Sequence, residues 1–196
     1  FMIDHSGVGL SDLRITPGAG TTLDGGASEV IVYGITGIKM SLGDGNDTVA
    51  FNSAFVAKDV QVKGGGGQDT VAINSASIIS GSLVLSDVDV TVLANSLVAH
   101  DVKAAYAIDG QYTVVMDHAD VLGNVSITNR GQDMSSSYVF TDSSIDGNLA
   151  LSNKTGTHGL GPTTLSISNT SVGGVNVKAG SGDYNFLFID SDTTRP

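Results

Sequence analysis

The chain has 196 residues, no cysteine, 26 glycines, 3 prolines and a formal net charge of −11. Disulfides are excluded, and a chain this acidic lacks the basic footprint that nucleic-acid phosphates and anionic membrane surfaces require. Hydrophobic residues make up 40%, enough for the core of one domain, and no run is long and apolar enough to span a bilayer.

The opening residues Phe1-Met2-Ile3-Asp4-His5 do not form a signal peptide. The final stretch, Asp190 to Pro196, reads as a cut end. Residues 1–196 are expected to be one domain, and an excerpt of a longer polypeptide. From Leu13 a degenerate repeat returns, over roughly 11–190, at a mean spacing of about 23 residues. Each copy has two short apolar-x-apolar strands. In chain order the first strands are Leu13-x-Ile15, Ile38-x-Met40, Val60-x-Val62, Leu83-x-Leu85, Val102-x-Ala104, Val125-x-Ile127, Leu149-x-Leu151 and Val175-x-Val177. The second strands are Ile31-x-Tyr33, Val49-x-Phe51, Val71-x-Ile73, Thr91-x-Leu93, Val114-x-Met116, Tyr138-x-Phe140, Leu165-x-Ile167 and Phe186-x-Phe188. Period two puts alternate residues of a strand on the same face.

After each second strand comes a corner residue: Ser53, Ser75, Asn95, His118, Asp142, Asn169 or Asp190. Then one more aliphatic follows, Val56, Ile78, Val98, Val121, Ile145 or Val172, in a short third strand. Three strands per turn need about twenty residues or more, and stacked turns sit about 4.8 Å apart. The expected fold is all-β, a single-stranded parallel β-helix of about seven to eight coils, on the order of 35 Å long. Asx and Ser corners bond to the turn backbone or to one another and fix register. This pattern resembles the bacterial right-handed parallel β-helix proteins, including autotransporter passenger domains and large secreted repeat proteins. The resemblance implies an extracellular or cell-surface location in a bacterium. It specifies architecture better than function, because the same coil carries adhesins, lyases and passive stalks.

Two adjacent turns are glycine-rich: Gly43-Asp44-Gly45-Asn46-Asp47-Thr48-Val49 and Gly64-Gly65-Gly66-Gly67-Gln68-Asp69-Thr70-Val71. They look like the calcium-binding nonapeptide of RTX proteins. The resemblance implies a calcium ion held by Asp44, Asp47 and Asp69 with the turn carbonyls of Gly45 and Gly67. Glycine lets such a turn aim its carbonyls, and carboxylate oxygen suits a hard cation. Asp47 and Asp69 lie 22 residues apart, one coil, so they should stack. The match is limited to one site at most. Leu42 replaces the leading glycine, Tyr184 stands where the ligand after Gly182 should be, and Gly131-Gln132-Asp133 lacks the glycine pair.

Polysaccharide-cleaving β-helix enzymes gather carboxylates beside a basic residue on one sheet. The outward first-strand positions, Arg14, Lys39, Gln61, Val84, Lys103, Ser126, Ala150 and Asn176, carry no such acidic cluster. Asp87 and Asp89 share a strand face. Asp117 and Asp120 flank His118, an arrangement capable of acid–base work, but His118 falls in the corner series and reads as structural. His100 and His158 lack a second ligand at metal spacing. The outward second-strand positions are Val32, Ala50, Ala72, Val92, Val115, Val139, Ser166 and Leu187. So aliphatic a stripe suggests contact with another domain of the parent chain or with a second copy. Tyr106 and Tyr112 are candidates for sugar stacking, and the long turns Thr16 to Val30 and Ser152 to Thr164 are where a coil would place a specific binding surface. The sequence favours a structural or adhesive, non-catalytic module. A polysaccharide-binding or polysaccharide-degrading domain, with or without calcium, is the alternative.

Overall fold

Short runs of β-branched and apolar residues at alternating positions, closed by Gly, Asn, Asp or Ser, favour strands over helices. The computed structural model describes residues 1–4, 12–16, 30–107, 110–130, 135–153, 160–178 and 182–189, and these contain strands and turns but no helix. Parallel strands stack into a β-solenoid of about five regular turns. The first-strand row runs Ile38, Val60, Leu83, Val102, Val125, Leu149, Val175 in direct register. The second-strand row runs Val49, Val71, Thr91, Val114, Tyr138, Leu165, Phe186. Inward residues of both rows fill the interior. Val49, Val71, Leu83, Leu93, Met116, Val125, Phe140 and Leu149 are fully buried, each contributing about 1.5–3 kcal/mol of apolar transfer.

The turn count falls below the expected seven to eight because both ends depart from the regular coil. At the start, Leu13–Thr16 is not a first strand and Ile31-x-Tyr33 is not a second strand. Met2–Asp4 takes the rung beside Thr48–Asn52, in parallel. Leu13–Thr16 then pairs antiparallel with Met2–Asp4, and Val30–Val32 antiparallel with Leu13–Thr16. All three extend the second-strand sheet. Arg14 accordingly leaves the first-strand face and holds the buried carboxylate of Asp4 at 3.0 Å. Val32 lies opposite the buried Leu13, on the core face, so Met2 replaces it beside Ala50 in the outward stripe. At the other end, the third strand and the following first strand fuse into Ser144–Asn153 and again into Ser171–Lys178.

The corner between second and third strands is a column of left-handed residues: Ser53 (φ 52°), Ser75 (56°), Asn95 (46°), His118 (51°), Asp142 (47°) and Asn169 (45°). Asn and Asp tolerate this region better than other side chains because they bond locally. The left-handed turn points an amide at the next coil, in the second coil that of Ala76 rather than Ser75, to Asn95 O (2.7 Å). Asn95 N–H donates to Asp117 O (3.0 Å), His118 to Thr141 O (3.1 Å) and Asp142 to Ser168 O (3.1 Å). The second coil carries one extra left-handed residue, Ala76 (φ 61°). It displaces the third strand by one position, so Ile79 is buried and Ile78, expected inside, is exposed. Behind the corner runs a buried column of small residues whose hydroxyls accept amides from the preceding coil. Ser77 Oγ takes Ala54 N–H (3.1 Å) and Ser143 Oγ takes Ala119 N–H (3.1 Å).

The corner between third and first strands works in the opposite direction. Asp59 Oδ1 accepts the amide of Ser82 (2.8 Å), Asp101 Oδ1 that of Asn124 (2.9 Å) and Asn124 Oδ1 that of Asn148 (3.0 Å), each one coil further on. Backbone groups left over by the turns are thus paired between coils. Asp190, the last expected corner residue, lies outside the described residues, as do His5, His158 and residues 17–29 and 154–159 of the two long turns; the second turn ends early, because Leu160–Ser168 is a strand.

Candidate functional site

The two glycine-rich turns stack as their spacing predicts. Gly43 faces Gly65 and Asp44 faces Gly66 across the parallel pair, and Gly45 N–H donates to Gly66 O at 2.7 Å. The close approach excludes side chains. A Cβ on Gly67 would lie 2.2 Å from Gly45 O, and both glycines hold φ near 114°, a left-handed conformation that glycine adopts freely.

The liganding candidates are placed differently from one another. Asp44 is exposed, Asp47 half-buried and Asp69 fully buried. Asp47 and Asp69 do sit on successive rungs, and Asp89 continues the column, a member the sequence reading assigned to a strand face with Asp87. Each carboxylate reaches back to the preceding coil: Asp69 Oδ1 accepts Asp47 N–H (3.1 Å) and Asp89 Oδ2 accepts Asp69 N–H (2.8 Å). Asp87, in a left-handed turn of its own, accepts Ala107 N–H (2.6 Å). The signal for this column was an aspartate just before each second strand, in Asp47-Thr48-Val49, Asp69-Thr70-Val71 and Asp89-Val90-Thr91.

Asp69 Oδ2 has no hydrogen-bond partner. It is wedged against Gly64, where a Cβ would lie 2.6 Å from that oxygen and 1.8 Å from Asp87 O. Burial raises the Asp69 pKa above the ordinary carboxylate value. The Asp47 N–H bond opposes this, and the neighbouring charges of Asp47 and Asp89 add to the rise. Further along the same inner corner, facing polar residues bond across it, while Asn129 Oδ1 and Asn153 Oδ1 have no partner. Asn129 Nδ2 donates to Ser136 Oγ and Asn153 Nδ2 to Thr163 Oγ1, each at 3.1 Å.

Tyr106 and Tyr112 belong to that inner corner, not to the surface. Both are buried, with ring centroids stacked 3.9 Å apart, and burial pushes the Tyr106 hydroxyl well above the usual tyrosine range. The strand endings at Tyr106 and Gln111 turn them inward, so they offer no platform for a sugar. The irregular sequence between them reads as a surface loop, whereas the two rings that flank it face inward.

A second cluster lies at the left-handed corner. Asp117, His118 and Asp142 present one donor atom each, all within 4.8 Å of one another, and among the described residues this is the one such group of three. Asp44, Asp47 and Asp69 do not converge in that way. Asp120, the other acid flanking His118, binds Ser144 Oγ instead. Lys39 and Lys103 stand apart on the first-strand face, and Lys103 pairs with Asp101 at 3.0 Å. The outward stripe Ala50, Ala72, Val92, Val115, Val139, Ser166 is continuous and partly exposed; Leu187 extends its register, but its side chain lies outside the described residues.

No protein-family model, curated protein or solved structure matches the chain.

Proposed function

We propose that this chain is a structural, non-catalytic β-solenoid module of a secreted or cell-surface bacterial protein, serving as a rigid spacer or adhesive stalk. The observation that carries this reading is the ladder along the described corners, where side chains and amides of one coil bond to those of its neighbour. A chain built so resists bending and local opening, as a spacer must. The aliphatic stripe from Ala50 to Val139 is the surface through which it would pack on a neighbouring domain or a second copy. The test combines small-angle scattering with incubation against a panel of acidic and neutral polysaccharides. A rod-shaped particle that leaves every polysaccharide intact is expected. Released oligosaccharide would overturn the non-catalytic assignment in favour of a polysaccharide-degrading domain.

A calcium-stabilised form of this module is favoured by the unpartnered Asp69 Oδ2 between two further carboxylates. A cation drawn to Asp69 and its neighbour Asp47 would offset their repulsion; Asp44 is exposed and apart from the buried Asp69, so it and the Gly45 and Gly67 carbonyls would join only by a rearrangement of the two turns. Calorimetric calcium titration with melting curves in EDTA and in excess Ca²⁺ tests it. One equivalent of heat and a raised melting point, both lost in Asp69→Ala, support the site; no heat and no shift reject it.

A further inference from the structure

We propose that the corner group Asp117–His118–Asp142 binds one divalent metal ion of the zinc type, through His118 Nε2 and Asp142 Oδ2. The argument starts from the imidazole. His118 Nδ1 lies 2.7 Å from Asp117 Oδ1, and a carboxylate only accepts, so Nδ1 carries the proton. With Nδ1 as the donor, the metal-binding form of the ring carries its lone pair on Nε2, toward the next coil. There Asp142 Oδ2 faces it at 3.9 Å, beyond hydrogen-bond reach, so two acceptors oppose each other across a gap. Zinc bonds to imidazole nitrogen and carboxylate oxygen are about 2.0–2.1 Å, and two of them at a tetrahedral or wider angle span roughly 3.3–4.0 Å. At 3.9 Å the gap admits one ion at a wide N–Zn–O angle, and a closure of about 0.6 Å would bring that angle to tetrahedral. An imidazole and a carboxylate together suit zinc and its first-row neighbours better than calcium.

The surroundings are those of held ligands. Asp117 fixes the ring through Nδ1, and Asn169 Nδ2 binds the other oxygen of Asp142. Each ligand therefore has the outer partner that orients metal-binding side chains. His118 and Asp142 are successive members of the left-handed column, fixed one rung apart by the bond from His118 N–H to Thr141 O. The described rungs on either side place Asn95 and Asn169 there, so the imidazole–carboxylate step occurs at one level of the column. The side chains are 59% and 35% exposed, which leaves the remaining coordination positions to water. This site is separate from the glycine-rich turns and does not depend on the role proposed for the module.

Zinc titration by calorimetry on the full chain after chelator treatment tests the proposal, alongside His118→Asn and Asp142→Asn. Asparagine suits the left-handed conformation and already occupies neighbouring rungs, so both variants should fold, as circular dichroism would verify. The expected result is one zinc equivalent bound by the parent chain, at least about tenfold weaker in either variant, with the His118 ring resonances shifting on zinc addition. Zinc affinity in His118→Asn equal to that of the parent would overturn the site. So would unshifted His118 resonances, which would leave the pair as a protonated imidazole between two carboxylates.

Discussion

Replacing Asp69 by asparagine is expected to stabilise the metal-free protein at neutral pH. The native side chain is fully buried, with one oxygen serving the Asp47 amide and the other unpaired. Leaving a buried polar group unsatisfied costs about 1–3 kcal/mol, and more for a charge. Asparagine keeps the acceptor for Asp47 and places an amide donor where Oδ2 and the Asp87 carbonyl both crowd Gly64. A gain of about 1–3 kcal/mol follows, or a melting point higher by roughly 2–10 °C for a chain of this size. The sign with pH can be worked out. A folded-state pKa raised by burial means that the Asp69 contribution is fully present below the unfolded value of 3.8 and is lost as pH rises through the folded value. The parent and Asp69→Asn should therefore melt together in acid and separate toward neutrality. Melting curves in EDTA from about pH 3 to about pH 8 measure this. A variant no more stable than the parent at neutral pH, or a difference that widens on acidification, would refute the reasoning.

Tyr112→Ala should destabilise the chain by about 3–5 kcal/mol in chemical denaturation, as the loss of a buried aromatic does; a change within about 0.5 kcal/mol, the range of ordinary surface substitutions, would return the ring to the surface. Asn95→Ala removes a side chain suited to the left-handed corner and should cost about 1–2 kcal/mol, whereas Asn95→Gly should cost less; equal losses would show that backbone conformation is not the cause. Asp101 is held down to about 2, first by the Asn124 amide and then by its hydrogen bond to Lys103. Its contribution is present above the unfolded carboxylate value and lost as pH falls through about 2. Asp101→Asn should therefore show a smaller loss of melting temperature than the parent in that acid range.

The strand rows were legible because inward residues must recur with period two and every coil repeats them. From Ile38 to Leu165 the paired residues are those the alternation picks out. The corner column was legible for the same reason, since Asn, Asp and Ser recur just where the backbone turns left-handed. Four features were not. An antiparallel strand carries the same alternation as a parallel one, so Leu13-x-Ile15 looked like one more coil. A single inserted residue, Ala76, moves burial from Ile78 to Ile79 without altering composition. At the inner corner, Tyr106, Asn129 and Asn153 close the first strand while Asp69, Tyr112, Ser136 and Thr163 open the second, and all are buried. Polarity there signalled a surface turn, whereas the side chains point inward and bond across the corner. The Asp117–His118–Asp142 cluster escaped for another reason: its two halves lie 24 residues apart and meet only because the coils stack.

Apolar alternation alone does not fix this fold. A slip of two residues in any strand would keep every inward side chain inward and every outward one outward. The corners forbid it. At the inner corner, Asp69 and Asp89 reach back to amides of the preceding coil; at the corner before each first strand, Asp59, Asp101 and Asn124 reach forward to amides of the next. A slipped coil would lose acceptors on both sides and leave left-handed positions to residues such as Phe140 and Leu93, which lack the local hydrogen bonding that favours that conformation. Register is thus set by polar groups at the turns, and the aliphatic rows set only the inside and outside. The same device keeps chemically matched side chains of successive coils at one height, which is why a surface group such as His118 and Asp142 can be held in fixed opposition on a fold whose interior is given over to packing.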